Sequence, residues 1–120
     1  MKIAVPYDRG KINPHFGHSP YFMIYIVENE EIRGKMNIPT SGSGHTYMVN
    51  LMKKLKVEVV IAGHMGKPAI MGLMESGIRV YMGLNGSTED AVLKFIDGEL
   101  EGFNTKNLDL SLMEDECDCH

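Results

Sequence analysis

The chain has 120 residues and a formal net charge of −4, with hydrophobic residues at 43%. That length suits one compact domain with its own core, and the composition is far from that of a disordered chain. With a negative net charge a general nucleic-acid binder is not expected, since phosphate contacts need clustered Lys and Arg. No apolar run approaches the roughly 20 residues that span a bilayer, and no signal peptide is apparent, which predicts a cytoplasmic protein.

The predicted elements follow in chain order. Ile3-Ala4-Val5 reads as a short strand stopped by Pro6. A long connection, Tyr7 to Pro20, carries the turn signal Asp8-Arg9-Gly10 and the run Asn13-Pro14-His15-Phe16-Gly17-His18; patternless loops of this length are often functional. Tyr21 to Val27 is rich in aromatic and β-branched residues and reads as a second strand. After the polar turn Glu28-Asn29-Glu30, Glu31 to Ile38 reads as an edge strand. Ile32, Met36 and Ile38 are its inward candidates, and Glu31, Arg33 and Lys35 protect the edge.

A small-residue loop, Pro39 to Gly44, precedes a helix over His45 to Leu55, with Met48, Leu51, Met52 and Leu55 at helical spacing. Val57 to Ala62 is a nearly all-apolar run, the pattern of a parallel strand buried on both faces. It breaks into Gly63-His64-Met65-Gly66-Lys67-Pro68, where Pro68 suits the first turn of a helix. Ile70, Leu73 and Met74 form that helix's buried stripe, and Gly77 stops it. Ile78 to Tyr81 is a further strand. After Gly83 to Gly86, Ser87 or Thr88 caps a third helix, in which Val92, Phe95 and Ile96 face inward and Gly98 is the stop. The ten methionines are read as flexible core filler.

The order β-β-β-α-β-α-β-α predicts a single-domain α/β fold. It would have a five-stranded mixed sheet in the order 3-2-1-4-5, the second strand antiparallel, with helices on both faces. Residues 1–103 would form the domain. Residues 104–120 would be an acidic, mobile tail ending in Cys117-Asp118-Cys119-His120, whose part in metal binding the sequence leaves open.

In such sheets ligands bind beyond the carboxyl ends of the parallel strands. The glycine loops before the three helices should meet there, offering Gly42, Gly44, Gly63, Gly66 and Gly86 as backbone for an anionic ligand. His15, His18, His45 and His64 should fall on the same edge. Imidazole binds iron, copper or zinc, so these four are the candidate metal ligands. His15 and His18 act together only if Phe16-Gly17 makes a tight turn. Catalysis finds little support: Ser41 and Ser43 lack an elbow motif, Asp8 is the only carboxylate expected near the edge, and dinucleotide and phosphate-loop fingerprints are absent. A non-enzymatic protein is expected.

Met1 to Pro6, Pro14-His15-Phe16-Gly17 leading to Tyr21-Phe22, Val59 to Gly63 with Gly66 and Pro68-Ala69, and Gly77 to Tyr81 together resemble the dinitrogenase iron–molybdenum cofactor biosynthesis family over about residues 1 to 100. The resemblance implies a ribonuclease H-like sheet without nuclease activity. It also implies carriage or storage of an iron–sulfur or molybdenum–iron–sulfur cluster or its precursor, in the setting of nitrogen fixation, with donor and acceptor proteins as partners. His15 matches the family motif. His18 and His64 stand where relatives carry arginine and glycine, so their roles rest on placement alone. The competing expectation is a metal-independent module that binds a small molecule or anion for regulation.

Overall fold

In a computed structural model the structure describes residues 1–40 and 44–100, the side chain of His45 excepted. Among the described residues six strands form one open mixed sheet, with three α-helices distributed over its two faces. The strands are β1 (Lys2–Asp8), β2 (Lys11–Ile12), β3 (Tyr21–Glu28), β4 (Glu31–Pro39), β5 (Val59–Ile61) and β6 (Arg79–Tyr81); the helices are α1 (His45–Lys54), α2 (Lys67–Glu75) and α3 (Thr88–Ile96). The sheet runs β4-β3-β1-β5-β6, with β2 paired to β1 off this path. β5 lies parallel to β1 and β6 parallel to β5, whereas β3 lies antiparallel to β1. The order of the five longer strands is the expected one.

The departures have local causes. β1 continues through Pro6 to Asp8, because β5 pairs with β1 only as far as Ala4 and the missing proline N–H falls past that ladder. Arg9 (φ 55°) and Gly10 (φ 86°) then form a two-residue turn with both residues left-handed, which suits the twist of a tight hairpin. The turn creates β2, a sixth strand inside what reads as a loop. Along β4 the register shifts between Ile26 and Val27 of its partner. The shift reverses which face alternate residues take. Ile38 therefore packs on the α1/α2 side and Ile32 on the α3 side. Met36, expected to be inward, is exposed, since it lies opposite Ile24 on the outermost strand.

Two apolar layers flank the sheet. One joins Ala4, Phe22, Ile24, Val60 and Val80 to Met48 and Met52 of α1 and Ala69, Ile70 and Leu73 of α2. The other joins Ile3, Val5, Tyr25, Val59 and Ile61 to Ala91 and Val92 of α3. Every residue of β5 is fully buried, as its unbroken apolar run requires. Gly42 and the segment 101–120, including the expected tail, lie outside the described residues. No described helix is long and apolar enough to cross a membrane.

Candidate metal-binding edge

The loops that follow β2, β5 and β6 meet beyond the carboxyl ends of the parallel strands β5 and β6, and Gly63 is where they touch. A Cβ there would stand 3.1 Å from the Leu84 carbonyl oxygen and 3.4 Å from the Pro14 Cα, so only glycine fits without displacing backbone. The Gly83 N–H donates to the Gly63 carbonyl at 3.0 Å, which ties the β6 loop to the same point.

Beside this junction the structure brings His15 and His64 together. They form an isolated parallel bridge, and the Phe16 N–H donates to the His64 carbonyl at 3.3 Å. Register-paired residues on adjacent extended segments turn their side chains to the same side. His15 is exposed and His64 half-buried.

Three interactions hold the His15 loop in place. The Asn13 side-chain oxygen accepts the His15 N–H at 2.9 Å, a local turn that asparagine favours. Phe16 is buried against Phe22, with ring centroids 5.4 Å apart, in the edge-on geometry that aromatic pairs prefer. Buried Ser19 donates to the Tyr21 carbonyl at 2.6 Å. Asn13, Phe16 and Ser19 are positioning residues that the sequence reading did not single out. An asparagine two residues before the histidine was the available signal.

Phe16–His18 is one 3₁₀ turn in which the His18 N–H donates to the His15 carbonyl at 3.2 Å. This is the tight turn that joint action of His15 and His18 requires, although His15 itself is extended (φ −119°, ψ 99°) and stands just outside the turn, so the two side chains are not held in the eclipsed 3₁₀ arrangement. His18 is exposed. His45 opens α1, and the Gly44 N–H before it donates to the Gly17 carbonyl at 2.9 Å, so α1 begins against the histidine loop. Among the described residues no group of three or more His, Cys, Asp or Glu side chains is gathered as a metal would need.

The helix starts differ in chemistry. Gly44 and Gly66 are the N-caps of α1 and α2; neither provides a side-chain cap, and neither helix has an acidic residue in its first turn. Lys67 opens α2. In these two first turns no acidic side chain offsets the positive end of the helix dipole. By contrast, the Ser87 side chain accepts the Asp90 N–H at 3.2 Å, and Glu89 and Asp90 fill the first turn of α3. Gly86 (φ 85°) accepts the Ile12 N–H at 2.8 Å, which joins its loop to the β1–β2 hairpin. The third glycine loop thus has a structural duty, and the anion-favouring half of the edge is the α1/α2 half.

This fold and this edge define a small open-sheet α/β domain with a histidine-bearing rim. The pattern of the dinitrogenase iron–molybdenum cofactor family matches residues 1–98, and the chain belongs to that family. It is 32% identical over 108 residues to an uncharacterized protein of Methanocaldococcus jannaschii, covering 86% of this chain and 92% of that one. The crystal structure of PH0822 is similar at 28% identity with a TM-score of 0.76, covering 88% of this chain and 98% of that one. The apo orange protein of Desulfovibrio gigas shares the fold at 23% identity with a TM-score of 0.73, covering 83% of this chain and 90% of that one.

Proposed function

We propose that this protein is a non-enzymatic carrier or store for an iron–sulfur or molybdenum–iron–sulfur cluster, held at the rim formed by the loops after β2 and β5. The observation that carries the reading is the His15–His64 bridge beside the starts of α1 and α2, in a chain of the iron–molybdenum cofactor family. Metal–sulfur clusters are anionic, and a helix start free of carboxylates favours negative charge. Imidazoles supply the metal bonds. His18, at the end of the turn that follows His15, is the candidate additional ligand; the His45 side chain lies outside the described residues. The described residues hold no thiolate, and a rim of imidazoles without a cysteine cage suits a load that must be released to an acceptor protein. The carrier works in the cytoplasm between a cluster donor and a cluster acceptor.

The test is reconstitution without oxygen in the presence of iron, sulfide and molybdate, followed by metal and acid-labile sulfide analysis. The native chain should take up iron with matching sulfide and show a broad visible band. His15→Ala with His64→Ala should abolish this and leave the thermal unfolding midpoint unchanged. Unchanged iron in the double variant would overturn the reading. A metal-free chain that gains stability from inorganic phosphate would favour the anion-binding module instead.

A further inference from the structure

The His18 side chain is exposed, so the placement of its ring depends on the backbone that bears it. On the amino side that backbone is fastened twice. The peptide joining Gly17 to His18 accepts the Gly44 N–H at 2.9 Å through its carbonyl and donates to the His15 carbonyl at 3.2 Å through its N–H. On the carboxyl side the chain continues into Ser19 and Pro20. Proline has no N–H to give, and the Ser19 hydroxyl is spent on the Tyr21 carbonyl at 2.6 Å. The restraint there comes from Thr40. Its hydroxyl donates to the Ser19 carbonyl at 2.9 Å, with the Pro20 carbonyl at 3.2 Å, and its N–H donates to the Pro20 carbonyl at 3.0 Å.

We propose that Thr40 is a positioning residue for cargo binding: its hydroxyl fixes the carboxyl-side flank of His18 and so holds that imidazole at the rim with His15 and His64. This rests on the carrier reading in that His18 is taken as a ligand of the cargo iron.

The support behind Thr40 is stiff. It directly follows β4, whose last residue, Pro39, pairs with Tyr21 of β3. Ile38, the residue before, pairs with Phe22 and packs on the α1/α2 core. Phe22 is also the ring on which Phe16 rests. The hydroxyl therefore reaches Ser19 from a strand end that the sheet fixes, on a β-branched side chain with few rotamers. Without it the Pro20 carbonyl keeps its backbone donor, but the Ser19 carbonyl loses its own. The residue after His18 is then free to move. Binding must re-order that flank, and the entropy of doing so comes off the affinity. The apolar layers of the sheet do not depend on this bond.

The experiment is a double-mutant cycle on the reduced full chain. It is titrated without oxygen with Co2+ alone and read by NMR at the imidazole protons of His15, His18 and His64, which the paramagnetic ion broadens when it binds beside them. Thr40→Val keeps the branched shape and the backbone N–H bond and removes the hydroxyl. It should weaken binding at the rim about fivefold, the size of one hydrogen bond's net contribution, with an unfolding midpoint close to native. Thr40→Ser, which retains the hydroxyl, should bind as the native chain does. In a His18→Ala background Thr40→Val should weaken binding no further, because the imidazole it places is gone. A role in the fold alone would weaken both backgrounds equally. The inference is overturned by native affinity in Thr40→Val, by an equal loss in the His18→Ala background, or by His18 protons that the metal leaves untouched in the native chain. Iron and sulfide uptake separates it from the reading it rests on. Uptake lost in the His15→Ala, His64→Ala variant and kept in both Thr40→Val and His18→Ala leaves the carrier reading standing and removes this inference. A cobalt cycle that runs as expected, in a chain that never takes up iron with sulfide, does the reverse.

Discussion

Gly63→Ala probes the junction that holds the rim together. The added methyl would sit 3.1 Å from the Leu84 carbonyl oxygen and 3.4 Å from the Pro14 Cα. Both neighbours are backbone, and neither has a rotamer to change. Leu84 is held by its N–H donating to the Ala62 carbonyl at 3.3 Å, and Pro14 sits between Asn13 and the bridged His15. Relief must come from moving the loops apart. Overpacking of this kind costs about 1–3 kcal/mol, which for a domain of this size is a fall in Tm of roughly 4–8 °C per kcal/mol. Metal uptake should fall with it, because the His15 and His64 segments move against each other. Gly77→Ala is the control, since Gly77 has φ +81° and open space around its Cβ position. Its cost is conformational, about 1–2 kcal/mol for a left-handed residue that gains a Cβ. It follows the end of α2, away from the rim. Thermal unfolding and anaerobic iron uptake on both variants decide the matter. If Gly63→Ala keeps native stability and native iron uptake, the loops do not depend on that contact and the reasoning fails.

Two further changes test the α3 side. Tyr25 and Thr88 share a buried hydrogen bond of 2.8 Å. Tyr25→Phe leaves the Thr88 hydroxyl unpaired and should cost about 1–2 kcal/mol in urea unfolding. Burial raises the Tyr25 pKa in the folded state above its ordinary value, against the lowering pull of the Thr88 hydrogen bond. A folded state that holds its proton more tightly than the unfolded chain has that stability in full below the unfolded pKa, about 10, and loses it as pH rises toward the folded pKa. Stability should therefore fall above about pH 10, and Tyr25→Phe should remove part of that fall. Ser87→Ala removes the α3 cap and should cost about 1 kcal/mol with no change in iron uptake.

The fold was legible because its signals are periodic and long. The apolar run Val57 to Ala62 and the helical stripes at Met48–Met52 and Ile70–Leu73 each identify one buried face, and element order limits how strands can neighbour one another. Short-range geometry was less legible. The turn signal at Asp8-Arg9-Gly10 is visible, but two residues are too few to show the alternation of a strand, so β2 does not announce itself. The face reversal in β4 had one clue, Gly34, which pairs with Ile26 next to the register shift; glycine within a strand often marks such a place. At the rim, the convergence of the His15 and His64 segments follows from topology. That the two form a bridge depends on the turn at Asn13 and the anchoring of Phe16, and spacing along the sequence contains neither.

The contrast between the helix starts separates ligand binding from stability, and one substitution puts the two in opposition. Lys67 is the first residue of α2, whose first turn has no acidic residue and whose cap is the glycine Gly66. Lysine there is unfavourable for the helix, since its charge meets the positive end of the dipole. Lys67→Glu should raise stability by about 0.3–1 kcal/mol, because a carboxylate at a helix start is favourable. The same change replaces a positive charge with a negative one beside the His64 loop, and an anionic cargo should bind several-fold more weakly. α3 already has the arrangement that stability alone would select, with Ser87, Glu89 and Asp90 at its start. If Lys67→Glu is more stable and takes up iron and sulfide as well as the native chain does, the charge of the rim has no part in holding the cargo, and the imidazoles must carry the binding by themselves.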